Sequence, residues 1–313
     1  MSYTLAHLSD WHVTSLDDCR MRDLANKRFM GWLSWRHRRR HRHRLDILRG
    51  LFKDLKRQAP DHVAVTGDLT NIALVEEFAA TAQLLAELGA PEWISLVPGN
   101  HDAYVPVPRA TSWDLWSEYM VSDQVLADRE SDSAALQAPT VDEFPTVRIR
   151  GPLALVGVCS ALPTRFGHAS GRVGAGQLER LAVTLAELRS RELCCVVLIH
   201  HPVVDVGFTP RRRLVDSADF RAVLAEVGAD LVLHGHGHRT LRNEIEGPEG
   251  PIPVVGVRSA AHIEEPEARR AQYHLFGIER AAGSTGPRFR FRLETRGYEA
   301  ASGGFAAEGD ELL

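Results

Sequence analysis

Five runs of β-forming residues in this chain each stop at a turn built from Asp, Asn, His and Gly. The turns are Asp10-Trp11-His12, Gly67-Asp68, Gly99-Asn100-His101-Asp102, His200-His201 and Gly235-His236-Gly237-His238. Open α/β sheets bind what they bind outside the carboxyl ends of their strands, so a chain with this pattern is expected to bring all five turns to one edge. Asp, Asn and His side chains hold hard or borderline divalent metals. Five separated donor groups at five strand ends therefore describe one polynuclear metal centre, and metal-assisted hydrolysis is the chemistry such a centre performs.

The bulk properties set the frame. A chain of 313 residues that is 44% hydrophobic can bury a sizeable core in one large α/β domain or two smaller ones. No run approaches the roughly 18 apolar residues of a membrane span, and the opening Met-Ser-Tyr-Thr-Leu-Ala-His lacks a secretory signal pattern. A cytoplasmic protein is expected, with the periphery of the inner membrane as the alternative address. Cys19, Cys159, Cys194 and Cys195 show no CxxC spacing, which suits reduced thiols. Thirty-seven basic against 41 acidic side chains give a formal charge of -4, which argues against nucleic acid as a partner. The exception is local: Trp32-Leu33-Ser34-Trp35 runs into the nine basic or titratable residues Arg36 to Arg44.

Along the chain, strands are expected at Thr4–Ser9, His62–Thr66, Trp93–Val97, Thr146–Arg150, Leu153–Val158, Cys194–Ile199 and Leu231–Leu233, with closing strands at Pro253–Val257, Tyr273–Ile278 and Arg288–Leu293. Helices are expected from Leu45 to Leu55, Leu74 to Leu88, Gln177 to Arg189 and Phe220 to Val227, and a helical patch from Trp113 to Met120. The order predicts an α/β four-layer α/β/β/α sandwich with two mixed β-sheets. We read residues 1–298 as one catalytic domain with insertions at about 13–44 and 103–145, followed by a flexible Gly-, Ala- and acid-rich tail over 299–313.

The order D-x-H, G-D, G-N-H-D, H and G-H-x-H, over roughly residues 4 to 240, resembles the calcineurin-like metallophosphoesterases. The resemblance implies two divalent ions, with manganese, iron or zinc as candidates. It implies that Asp68 bridges them, that Asp10, His12 and His238 complete one site, and that Asn100, His200 and His236 complete the other. A hydroxide bridging two such ions would attack a phosphate ester, with His101 standing free to assist the leaving group and Asp102 orienting the His101 ring from behind. Gly235 and Gly237 are expected to permit positive φ around the last ligands.

Taken singly, each motif has an ordinary reading: Asp68 as a helix cap, Asn100 as a left-handed turn residue, His7 as a hydrogen-bonded core residue. Only their joint order favours a metal centre. His201 is expected to contact substrate or to pack, and Trp11 to wall the pocket or to pack. Residues 28–44 are expected to sit in solvent, to grip an anionic substrate, or to touch an anionic membrane surface. The expected substrate is a small anionic phosphate ester, with a diester favoured over a monoester. The alternatives are a lipid-linked pyrophosphate or phospholipid hydrolase, a nuclease, and a metal-binding scaffold without activity. Nothing in the residues speaks to oligomeric state.

Overall fold

The computed structural model describes residues 3–123, 143–205, 207–263, 269–281 and 286–313. In chain order its regular elements are β1 (Tyr3–Leu8), α1 (Arg28–Ser34), α2 (Arg40–Arg42), α3 (Leu45–Gln58), β2 (His62–Val65), α4 (Val75–Leu88), β3 (Ile94–Leu96), β4 (Thr146–Arg150), β5 (Leu153–Val158), α5 (Ala175–Ser190), β6 (Cys194–Ile199), α6 (Ser217–Val227), β7 (Leu231–His234), β8 (Leu241–Ile245), β9 (Ile252–Gly256), β10 (Gln272–Arg280), β11 (Phe289–Glu299) and β12 (Gly304–Leu312). A π-helical turn, Trp35–Arg39, joins α1 to α2.

The strands form two six-stranded mixed sheets, ordered β12-β11-β10-β1-β2-β3 and β4-β5-β6-β7-β9-β8. Strands β1, β2 and β3 run parallel in the first, as do β5, β6, β7 and β9 in the second. Period-two alternation explains how the sheets meet. Leu155, Val196, Leu198 and Leu233 face the core shared with the first sheet, whereas Val156, Val197, Ile199 and Val232 pack under Leu181 and Leu185 of α5 and Phe220 and Leu224 of α6. Leu48, Leu51, Phe52 and Leu55 of α3, spaced three and four apart, bury one helical face in the first core. Four layers result, as the sequence predicts.

Three expectations need correction or completion. Residues 299–313 are not a loose tail, because β11 and β12 pair antiparallel from Glu299↔Gly304 to Arg292↔Leu312. Phe305 is the anchor that composition hides: it is buried against Tyr273 and Tyr298, and acidic residues of β12 pair outward with Arg292, Arg242 and Arg258. Strand β8, Leu-Arg-Asn-Glu-Ile, is absent from the expected set because it is a polar edge strand, hydrogen-bonded only to β9. In the second insertion, the patch at Trp113–Tyr119 is a 3-10 helix, and 124–142 lies outside the described residues.

The first insertion folds back over the strand ends. Leu16, Leu24 and Trp35 form a small core with Ile72 and Leu74, and the Arg28 guanidinium donates to the Ile72 carbonyl (3.0 Å) and to that of Ala73. Gly31 permits the contact, since a Cβ there would lie 2.4 Å from Ile72 and 2.8 Å from the Tyr104 hydroxyl.

Candidate metal centre

All five turns converge where the parallel strands of both sheets end. The first turn begins two residues past the end of β1, where i, i+2 spacing turns Asp10 and His12 to one side and Trp11 to the other. Trp11 is fully buried and meets Phe52 edge-on, so it packs rather than walls the site. Gly67 (φ 87°) and Gly99 let the second and third turns touch: a Cβ on Gly67 would fall 2.4 Å from the Gly99 nitrogen, and one on Gly99 would fall 2.2 Å from Asp68 Oδ1.

Among the described residues eight non-glycine positions have positive φ, and five are Asp10, His12, Asp68, His236 and His238. Each such conformation costs on the order of 1–3 kcal/mol and persists where its surroundings impose it. Gly235 and Gly237, expected to supply the positive φ, do not: the histidines between and after them do. Gly235 instead supplies space, since its Cβ would lie 2.0 Å from Ser9 Oγ and 2.6 Å from Asp10 Oδ2.

Three imidazoles are oriented by backbone carbonyls. His12 Nδ1 donates to Thr70 O (2.9 Å), His200 Nδ1 to Thr66 O (2.6 Å) and His236 Nε2 to Arg212 O (3.1 Å). A carbonyl can only accept, so the opposite nitrogen of each neutral ring carries a lone pair. Those lone pairs point at other acceptors. His12 Nε2 lies 3.6 Å from Asp68 Oδ2 and 3.8 Å from Asp10 Oδ1, His200 Nε2 lies 3.3 Å from Asp68 Oδ2, and His236 Nδ1 lies 2.7 Å from Asn100 Oδ1. His238 Nε2 completes the first group at 3.1 Å from Asp10 Oδ1. Asp10 Oδ1 and His12 Nε2 are buried with no hydrogen-bond partner. Two sets, Asp10, His12 and His238, and Asp68, His200 and His236, each gather donor atoms within 4.8 Å of one another. A third such set, His12, Asp68 and His101, overlaps them.

The electrostatics show the same unmet demand for positive charge. Burial opposes ionisation of both partners, yet the Asp68 carboxylate pushes His200 up to about 9, and His200 and His101 hold Asp68 well below the usual carboxylate range. A proton on His200 takes the place of a cation. His12 and His236 are held neutral by burial and by neighbouring imidazoles, His101 beside the first and His201 and His200 beside the second.

His101 lies at the rim of this cluster, its ring edge-on to His12 at 4.7 Å. Its Nδ1 donates to the Asn71 carbonyl, and the Arg39 guanidinium lies 3.0 Å from Nε2 and 3.1 Å from Nδ1. Burial and Arg39 push the ring down to about 3, so Nε2 is an acceptor for Arg39. Asp102 does not orient His101. Its two oxygens accept the backbone N–H groups of Asp68, Leu69, Thr70 and Gly99 and the Thr70 hydroxyl, which consolidates the Gly67 turn instead. Burial and the neighbouring Asp68 charge push that carboxyl up to about 7.

His201 packs, fully buried, between Ser160 Oγ (2.8 Å) and the Ala169 carbonyl. His7 is a core residue bonded to Thr66 Oγ1 at 2.9 Å. Two contributors escaped the sequence. His43 is buried with its ring 5.1 Å from His12 and 5.6 Å from His238, and Ser259 donates to the Asp10 carbonyl at 2.6 Å. His43 sat in plain view inside the basic run, but nothing distinguished it from its neighbours; Ser259 had no signal at all. Arg39 and His43 come from the first insertion, so part of the basic segment reaches the centre, while Phe29, Met30, Arg36 and Arg40 face outward. No helix among the described residues is long and apolar enough to cross a membrane. All four cysteines are free.

This architecture and donor set define a class of metal-dependent phosphoesterase, and comparison agrees. The family model for the calcineurin-like phosphoesterases matches residues 3–240. The chain belongs to that family. Among solved structures it is similar to a dimetal phosphatase from Danio rerio, with TM-score 0.56 and 12% identity over 97% of this chain and 98% of that one. It is similar also to a purple acid phosphatase from yellow lupin (Lupinus luteus) seeds, with TM-score 0.55 and 13% identity over 100% of this chain and 53% of that one. An NAD nucleotidase from Haemophilus influenzae shares the fold at TM-score 0.50 and 11% identity, over 99% of this chain and 54% of that one. No curated protein sequence matches the chain.

Proposed function

We propose that the protein hydrolyses a phosphate ester with two divalent metal ions, and that it prefers diesters to monoesters. The observation that carries this reading is the set of imidazole lone pairs aimed at carboxylate and amide oxygens. At His12 and His236 acceptors face acceptors at 2.7–3.8 Å, a repulsion that a cation between them would relieve. Asp10, His12 and His238 would hold one ion, Asn100, His200 and His236 the other, and Asp68 lies between the two groups. An oxygen and imidazole donor set suits manganese, iron or zinc. When bound, two such ions would activate water and neutralise charge on the phosphate oxygens.

The chain's own residues then have defined tasks. Thr66, Thr70 and Arg212 hold the three rings in one tautomer through their carbonyls. Asp68 Oδ1 also accepts the His101 N–H at 2.7 Å, tying the carboxylate that would be shared by the two ions to the turn that carries His101. Arg39, held on His101, presents guanidinium protons to charge developing on the leaving oxygen, and His101 fixes where they sit. Purified protein reconstituted with manganese should hydrolyse bis-p-nitrophenyl phosphate with higher kcat/KM than p-nitrophenyl phosphate. Turnover of neither compound, nor of any natural ester, would defeat the reading; a reversed ratio would defeat only the diester preference.

One observation favours a lipid-linked pyrophosphate or phospholipid as a second reading. Phe29 and Met30 are 42% and 43% exposed on the helical segment that delivers Arg39. Apolar side chains beside a cationic cleft suit a headgroup presented at a membrane surface.

A further inference from the structure

The cleft over the donor cluster has a volume of about 620 Å³, more than one phosphoryl group fills. Its walls carry Arg38 and Arg39 from the first insertion, Arg212 from the connection between β6 and α6, Arg239 from the loop after β7, and Arg269 after β9. Asp68, already engaged by His200 and His101, is the only carboxylate in that lining among the described residues. Among the described residues no carboxylate lies within ion-pair distance of any of these five arginines. Elsewhere the chain pairs its arginines freely, as Arg288 and Arg189 do with Asp230 and Arg296 does with Asp54. Arg239 is held without a carboxylate, lying over the Phe208 ring at 5.6 Å.

A single phosphoryl group at the metal centre has its charge met by two divalent ions. With Arg39 engaged at the leaving oxygen, the four other arginines exceed what one scissile phosphate needs, and clustered like charges repel unless a polyanion lies among them. We infer that the cleft is built for an ester that bears at least one further phosphate besides the one cleaved, the second group being gripped by guanidinium forks. This inference rests on the hydrolase reading of the same site and narrows its substrate. Binding of the remote phosphate would supply the orientation that a small model ester lacks.

The test is a pair of charge ladders on constant scaffolds, fructose 6-phosphate against fructose 1,6-bisphosphate and AMP against ADP, titrated calorimetrically into the metal-loaded protein. The more phosphorylated member should bind about tenfold tighter or more, the contribution of one charge-assisted hydrogen bond. In R212Q/R239Q, checked for metal content and thermal unfolding, that ratio should fall towards one. Equal affinities in the wild-type protein together with no preference for the doped vesicles, or a discrimination untouched by the double variant, would overturn the inference. Vesicles of phosphatidylcholine with and without phosphatidylinositol bisphosphate separate the sources of such a ligand. Retention by the doped vesicles alone places the phosphates on a lipid headgroup, and discrimination by the soluble ladders alone places them on a free metabolite. Hydrolysis of bis-p-nitrophenyl phosphate is scored separately. Activity without charge discrimination sinks this inference and leaves the hydrolase; charge discrimination without activity does the reverse.

Discussion

His101 and Asp102 are neighbours with opposite tasks, and substitution should separate them. His101 touches the cleft and Arg39 but contributes no donor that the two metal groups require. His101→Ala should leave both ions bound and lower kcat by about 10²- to 10⁴-fold, measured by metal analysis beside steady-state kinetics. Metal loss on that change would show that His101 is a ligand. Asp102 is bonded to backbone rather than to substrate, so Asp102→Ala should lower stability and metal content together. Gly235→Ala should be as severe as a ligand change, because the new methyl would meet Asp10 Oδ2 at 2.6 Å and Ser9 Oγ at 2.0 Å. The expected readout is loss of about one metal ion per chain and destabilisation of roughly 1–3 kcal/mol; a variant that unfolds and binds metal like the wild type would exclude the steric role.

Among the elements, the first insertion is the one that brings Arg39 and His43 to the centre, and the proposed substrate choice rests on it. Trp35 is 4% exposed and packs on Leu16, Leu24, Ile72 and Leu74, holding the helical segment that carries Arg38, Arg39 and His43 over the centre. Trp35→Ala should free this segment while leaving the two sheets folded. Amide exchange over residues 28–44 should rise, KM should rise more than the metal dissociation constant, and the main thermal transition should shift little. Exchange unchanged in 28–44 would mean that other contacts hold the segment.

Much at this scale was legible in the sequence, and the failures have causes. Strand ends announced themselves because hydrophobic runs stop abruptly at Gly, Asp and His, and α3 because its apolar positions recur at three and four. The carbonyls of Thr66, Thr70 and Arg212 carry no residue signature, since any residue but its backbone could stand there. Asp102 was misassigned because chain adjacency to His101 implied a contact that the tight turn directs elsewhere. The β12 hairpin was missed because one buried Phe305 in a Gly, Ala and acidic string offers no alternation to read. Arg39 lay within a conspicuous basic run, yet only folding selects it from Arg36, Arg38 and Arg40.

For the molecule as a whole, the buried histidines outside the centre set the response to acid. His62 is fully buried against Ser95 Oγ at 2.9 Å, and burial, with Arg150 and Arg148 nearby, pushes it down to about 3. His7 and His274 are likewise held well below the ordinary imidazole value by burial. Each is neutral when folded and gains a proton on unfolding once the pH falls below about 6.5, so its contribution to stability is complete above that value and is lost on acidification, for His62 down towards 3. Denaturant unfolding between pH 7 and 4.5 should show stability falling by about 1.4 kcal/mol per pH unit for each such histidine. His62→Gln should flatten that slope by one histidine's share; an unchanged slope would remove His62 from the account.

Everything proposed for the chemistry depends on lone pairs that converge on two cations. The most direct measurement is metal stoichiometry by mass spectrometry on purified, dialysed protein, taken for the wild type and for Asp68→Asn, the one carboxylate that faces both His12 and His200. We expect about two ions per chain in the wild type, fewer than one in Asp68→Asn, and turnover that follows the count. Wild-type protein that hydrolyses phosphate esters at full rate with no bound metal, or Asp68→Asn protein that retains both ions, would contradict the account.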